Sequence, residues 1–83
     1  MKPPPQPAHL LVIDDDDRIR DLLRQFLSRQ GHHITVAEDA AAARKLFTTL
    51  TFDLAVLDIM MPGEDGLSLL KSLREAGDTT PVL

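Results

Sequence analysis

Two aspartate groups follow short apolar runs in this sequence. Asp14, Asp15, Asp16 and Asp17 follow Leu10-Leu11-Val12-Ile13, and Asp58 follows Leu54-Ala55-Val56-Leu57. Apolar runs without polar alternation suit strands covered on both faces, as in a parallel sheet. In such a sheet the C-terminal ends of all strands share one edge. Neighbouring backbones are roughly 4.8 Å apart, so carboxylates ending two adjacent strands converge. That edge is where open α/β sheets bind ligands. Three carboxylates within a few ångströms repel, so one holds a proton or the group recruits a cation. Oxygen-only ligation with room for water is what Mg2+ takes, through one or two carboxylates and a substrate phosphate. A strand-end carboxylate beside such a metal could attack a phosphoryl group as a covalent nucleophile. Spacing alone leaves open which carboxylate that is.

The plainer reading of residues 14–17 is a helix cap in a solvated turn that suits the helix dipole. Asp58 resists it, because Leu57-Asp58-Ile59-Met60-Met61 sets one charge within an apolar stretch, and buried charges are rarely kept without a partner. The acidic run lacks the Gly and distal Glu of a calcium loop. His32 and His33 fall at a helix-to-strand turn and read as surface residues, and Met60 and Met61 read as packing and backbone contributors.

The elements that must position these groups alternate. After the first run, Ile19, Leu22, Leu23, Phe26 and Leu27 recur at helical spacing, with Asp15, Asp16 or Asp17 as cap and Gly31 as the left-handed stop. Ile34-Thr35-Val36-Ala37 reads as a second strand. Asp39 then caps a helix whose face is Ala43, Leu46, Phe47 and Leu50. The second aspartate-ended strand leads into a Pro- and Gly-rich loop over residues 60–66. A third helix with Leu67, Leu69, Leu70 and Leu73 on its face ends near Gly77, and Pro81-Val82-Leu83 starts another strand. The order β-α-β-α-β-α-β predicts an α/β fold with a parallel sheet and right-handed crossovers. Residues 1–7 hold four of the six prolines and read as a disordered leader, with residues 8–83 as the domain.

Composition narrows the function. Nine Lys and Arg against thirteen Asp and Glu give a net charge of −4, which argues against nucleic-acid binding by this stretch. No Trp or Tyr and only three Phe are present, so base-stacking platforms are excluded. No Cys is present, which fits a reducing compartment, and no apolar run is long enough for a membrane span or a secretory signal. The expected location is cytoplasmic, with no membrane partner.

Leu11-Val12-Ile13-Asp14-Asp15-Asp16 before an amphipathic helix, together with Val56-Leu57-Asp58-Ile59-Met60-Met61-Pro62-Gly63-Glu64-Asp65-Gly66, resembles the receiver domain of two-component response regulators. The wording of both motifs is most similar to the OmpR/PhoB class. The resemblance implies a flavodoxin- or CheY-like doubly wound parallel sheet of order 2-1-3-4-5. It implies that Asp58 accepts a phosphoryl group from a sensor histidine kinase. It further implies Mg2+ held by Asp15 directly, by Asp14 through water, by Asp58 and by the backbone carbonyl of Met60. Ile19 and its helix lie where members of the family meet the kinase.

Receivers also carry a Ser or Thr ending the fourth strand and a Lys ending the fifth. The sequence stops at Leu83 before either, and Lys71 lies in the third helix, so the expectation is the N-terminal portion of a receiver. A DNA-binding output domain would then lie outside it. An unfinished sheet edge predicts a chain that is marginal, and dimeric, domain-swapped or partly molten. Two alternatives stand beside this reading. One is a Mg2+-dependent phosphohydrolase of the haloacid-dehalogenase type using Asp14 and Asp16, against which Arg18 departs from the usual Thr or Val. The other is a receiver-like docking module without phosphate chemistry.

Overall fold

The computed structural model describes residues 7–83, so the expected leader lies, apart from exposed Pro7, outside the described residues. The elements are β1 (His9–Ile13), α1 (Asp17–Arg29), β2 (His33–Ala37), α2 (Ala40–Thr49), β3 (Leu54–Leu57) and α3 (Gly66–Glu75). The three strands form a parallel sheet in the order β2-β1-β3. Ile13 pairs with both Ala37 and Leu57, so the three strands end level with one another. The strand expected over residues 81–83 is reduced to a bridge between Val82 and Ala55, which also pairs with Leu11. Only three backbone hydrogen bonds hold it: Ala55 N–H to the Pro81 carbonyl at 2.9 Å, Leu83 N–H to the Ala55 carbonyl at 2.8 Å, and Leu57 N–H to the Leu83 carbonyl at 3.2 Å. Val82 thus occupies the fourth place of a 2-1-3-4 order.

All of β1 beyond His9 is buried, as an apolar run flanked by neighbours on both sides requires. Leu11 and Ile13 join Ala37, Ala40, Ala43, Phe52, Ala55, Met61, Leu69 and Leu73 in the core between the sheet and the α2–α3 layer. By the two-residue period of a strand, Leu10 and Val12 point to the opposite face, where α1 packs.

Each helix starts on an aspartate whose carboxylate accepts from backbone N–H groups: Asp16 for α1, Asp39 for α2 and Asp65 for α3. Gly31 and Gly77 follow α1 and α3 with φ of 90° and 84°, where a side chain would be strained.

The helix faces differ from the sequence reading at three places. On α1 the packed stripe is Arg20, Leu23 and Leu27, while Ile19, Leu22 and Phe26 are exposed and no residue of the helix is fully buried. On α2, Leu50 is the exposed C-cap and lies beyond the helix. On α3 the buried residues are Gly66, Leu69 and Leu73, and Leu67 is exposed. Gly66 sets that rotation by lying against the β3 end. Positions three and seven further along then face the core, whereas Leu67 is turned about 100° away.

Candidate functional site

The edge that gathers the strand ends also gathers the acids. Asp14 N–H donates to the Ala37 carbonyl at 3.1 Å, and Asp58 N–H donates to the Ile13 carbonyl at 2.9 Å. These bonds extend the ladder one residue past each strand, so Asp14 and Asp58 leave the sheet side by side. Asp14, Asp15 and Asp58 each offer a carboxylate oxygen, and the three atoms lie within 4.8 Å of one another. Asp15 is exposed, and Asp14 and Asp58 are half-buried. The burial that its apolar neighbours imply for Asp58 is thus only partial. The strand ends at the sheet rim, where water still reaches the carboxylate.

The four-acid run divides by role. Asp14 Oδ1 accepts the Asp16 N–H at 2.9 Å, closing the turn that aims the chain into α1. Asp16 Oδ1 accepts from Arg18 N–H at 2.8 Å and from Ile19 N–H at 3.4 Å, and these backbone donors hold its carboxyl below the usual range. Asp17 pairs with Arg20. The capping and site readings of residues 14–17 thus both apply, to different members. With Asp16 committed to the cap, nothing favours the phosphohydrolase pairing of Asp14 with Asp16.

Asp58 Oδ1 accepts the Met60 N–H at 3.0 Å. The Met60 side chain is 85% exposed, so the packing expected of it falls to Met61 alone, which is buried. The chain beyond β3 then passes Gly66, whose N–H donates to the Ile59 carbonyl at 2.9 Å. Glu64 forks onto Arg44 of α2, with Arg44 Nε donating to Oε1 at 2.9 Å, and it also accepts from Ser68 Oγ at 3.0 Å. The Arg44 guanidinium lowers the Glu64 carboxyl and is itself raised.

The remaining candidates lie elsewhere. His33 pairs with His9 at the start of the strands, the opposite edge from Asp14, and is exposed as expected. His32 is half-buried, and its Nδ1 accepts from Ala8 N–H at 3.2 Å. Lys71 is an exposed partner of Glu75 on α3.

Two residues near the site escaped the sequence reading. Gly66 read only as loop composition, although a glycine directly after a capping Asp was a signal of close helix–strand approach. Arg20 donates through Nη1 to the Asp14 carbonyl at 2.7 Å. Its signal was the i, i+3, i+7 spacing with Leu23 and Leu27.

None of the ion pairs among the described residues involves Asp14, Asp15 or Asp58. Three converging carboxylates, none of them in an ion pair and one open to water, form an oxygen donor set that fits a hard divalent cation. The family model of the response regulator receiver domain matches residues 10–83. The chain belongs to this family. It is 57% identical over 77 residues to protein PetR of Rhodobacter capsulatus, covering 93% of this chain and 32% of PetR. It is 42% identical over 77 residues to response regulator MprA of Mycobacterium sp., covering 93% of this chain and 34% of that protein. The chain thus spans about a third of the length of these curated relatives. Among solved structures, the Francisella response regulator 1452 receiver domain superposes with a TM-score of 0.87 at 41% identity, over 90% of this chain and 62% of that one. TrrA of Thermotoga maritima in complex with Mg(2+)-BeF gives 0.84 at 36% identity, over 90% and 65%. TrrA has also been solved in complex with the histidine kinase ThkA. The CheY-like receiver fold expected from the sequence is the fold found.

Proposed function

We propose that this chain is the phosphoacceptor part of a response regulator. In this reading Asp58 takes a phosphoryl group from a sensor histidine kinase. The observation that carries the proposal is the convergence of the Asp14, Asp15 and Asp58 carboxylates within 4.8 Å at the C-terminal edge of a parallel sheet. An Asp58 carboxylate oxygen attacks phosphorus in line. The bond from phosphorus to the kinase imidazole nitrogen breaks, and the imidazole leaves with its electron pair. Mg2+, when bound, neutralises the phosphoryl oxygens and the carboxylates so that anion can approach anion.

Asp15 and Asp58 would hold that cation directly, Asp14 through water, and Met60 through its backbone carbonyl. The chain's own part is to aim these groups. The ladder bond from Asp58 N–H to Ile13 fixes where the nucleophile leaves the sheet, and the Met60 N–H holds one of its oxygens at 3.0 Å, leaving the other free to attack. The kinase complex of TrrA supports a kinase as the donor, and the Mg(2+)-BeF complex of the same protein supports the cation. PetR and MprA are about three times as long as the matched stretch, which supports a further output domain in the whole protein. We assign that output to DNA binding by the OmpR/PhoB wording of the motifs, and the location to the cytoplasm. No helix among the described residues is long and apolar enough to cross a membrane.

The test is intact mass after incubation with Mg2+ and acetyl phosphate. One added phosphoryl group, lost on Asp58→Asn and on chelation, is expected. An adduct that survives Asp58→Asn overturns the assignment, and an intact fold that never gains an adduct favours the docking reading.

A further inference from the structure

We propose that Arg20 is a positioning residue for the carboxylate site, acting through the backbone of the β1–α1 turn; the proposal rests on the cation site described above. The guanidinium bridges two points of that turn. Nη1 donates to the Asp14 carbonyl at 2.7 Å, and Nη2 pairs with the Asp17 carboxylate in the first turn of α1. Asp15 stands between these two anchors, and Asp14 immediately precedes it. Holding both ends of a four-residue span sets where the two carboxylates in its first half point.

The placement of Arg20 is unusual for a surface helix. Its side chain is 14% exposed, against 88% for Asp17, and it shares the packed stripe of α1 with Leu23 and Leu27. An apolar residue would fill that stripe without the cost of withdrawing a cation from water. The fork geometry of a guanidinium, which lets one side chain reach a carbonyl and a carboxylate together, accounts for an arginine there. Asp14 is otherwise held by its N–H on Ala37 and by its own Oδ1 on the Asp16 N–H, and neither bond fixes its carbonyl.

Charge and geometry make opposite demands, so the effect has a decisive sign. A cation beside a metal site repels the metal, and removing it would tighten Mg2+ binding if Arg20 acted only as a charge. If Arg20 acts by holding the turn, removing it weakens binding, as loss of residues that orient metal ligands does by about 10- to 100-fold.

The experiment measures thermal unfolding of the full chain with and without Mg2+, for wild type, Arg20→Gln, Arg20→Lys and Asp15→Asn. The readout is the Mg2+-induced rise in Tm, from which a general loss of stability cancels. The wild type is expected to show a rise that Asp15→Asn abolishes. Arg20→Gln should lose most of it, with a Mg2+ dissociation constant about tenfold weaker, and Arg20→Lys should fall between. An Arg20→Gln rise equal to or larger than that of wild type overturns the proposal, even if the metal-free Tm has dropped. Should Arg20→Gln not fold, Arg20→Lys decides: a smaller rise supports positioning, and an equal or larger one overturns it. A wild-type rise that is absent, or unaffected by Asp15→Asn, removes the cation site itself and this proposal with it.

Discussion

Gly66 packs so closely on the backbone of Asp58 that a Cβ added to it would lie 2.6 Å from the Asp58 carbonyl oxygen. It would also lie 2.8 Å from Ile59 Cα and 3.1 Å from Leu57 Cγ. Two of these three neighbours are backbone, which cannot swing aside as a side chain can. Gly66→Ala must therefore push α3 off the β3 end or move Asp58. The expected outcome is a loss of about 1–3 kcal/mol of stability, in the range of overpacked cores. Phosphoryl incorporation should slow as well, because the strained atoms belong to the residue proposed to react. Urea unfolding and time-resolved intact mass check the two effects. A variant as stable and as fast as wild type would show that the close approach is not required.

Much of the fold was legible because period and punctuation agreed. The apolar runs ending at Asp14 and Asp58 fixed two strands and the edge where their carboxylates meet, and Asp39 and Gly31 marked helix limits that the structure keeps. The stripe of α1 was not legible, because its residues satisfy two helical faces at once. Ile19, Leu22 and Phe26 form one, Arg20, Leu23 and Leu27 the other, and hydropathy alone prefers the wrong one. The packed face also carries a hydrogen bond from a charged side chain to the Asp14 carbonyl, which no apolar count records. Residues 81–83 read as a strand from their types, but their pairing rests on three hydrogen bonds to β3.

The sheet core and the outer face of α1 should differ sharply in their tolerance of truncation. Leu11 has no exposed surface and sits in the core against the α2–α3 layer, so Leu11→Ala is expected to cost about 2–5 kcal/mol through lost burial and a residual cavity. Leu22 is 64% exposed on α1, and Leu22→Ala should change stability by about 0.5 kcal/mol or less. Urea midpoints of the two variants test this. A large loss at Leu22 would mean that the outer face of α1 is covered in solution, for instance by a second copy of the chain, and sedimentation of wild type would show it.

Arg44 and Glu64 tie α2 to the segment between β3 and α3 across twenty residues of sequence. This fork is the polar side-chain link between α2 and that segment among the described residues. Glu64→Gln should loosen residues 59–65 while leaving the sheet intact. Faster amide exchange confined to that segment is the expected signature, with Ala55 and Ile13 unchanged. Uniform acceleration across the chain would instead show that the pair contributes to global stability.

Stability should fall as the solution is acidified, and Asp78 should account for part of the slope. Its carboxyl is held below the usual range, first by the Thr80 hydroxyl at 2.6 Å and then by the Thr80 N–H at 2.9 Å. A lowered folded-state pKa means that the unfolded chain binds more protons in the interval between the two pKa values, so stability rises with pH there. The contribution is fully present above the unfolded value of about 3.9 and is lost as pH falls through the lower folded value. Glu64, lowered by Arg44, adds a loss of the same sign. Asp78 also anchors the turn that carries Val82 to β3, since its N–H donates to the Leu73 carbonyl at 2.9 Å and its carbonyl accepts from Arg74 at 2.8 Å. Asp78→Asn is therefore expected to be less stable than wild type at neutral pH, with the gap narrowing as the pH drops below about 4. Urea midpoints of both chains from neutral to strongly acidic pH would show it, and a gap that stays constant across that range would remove Asp78 from the account of acid sensitivity.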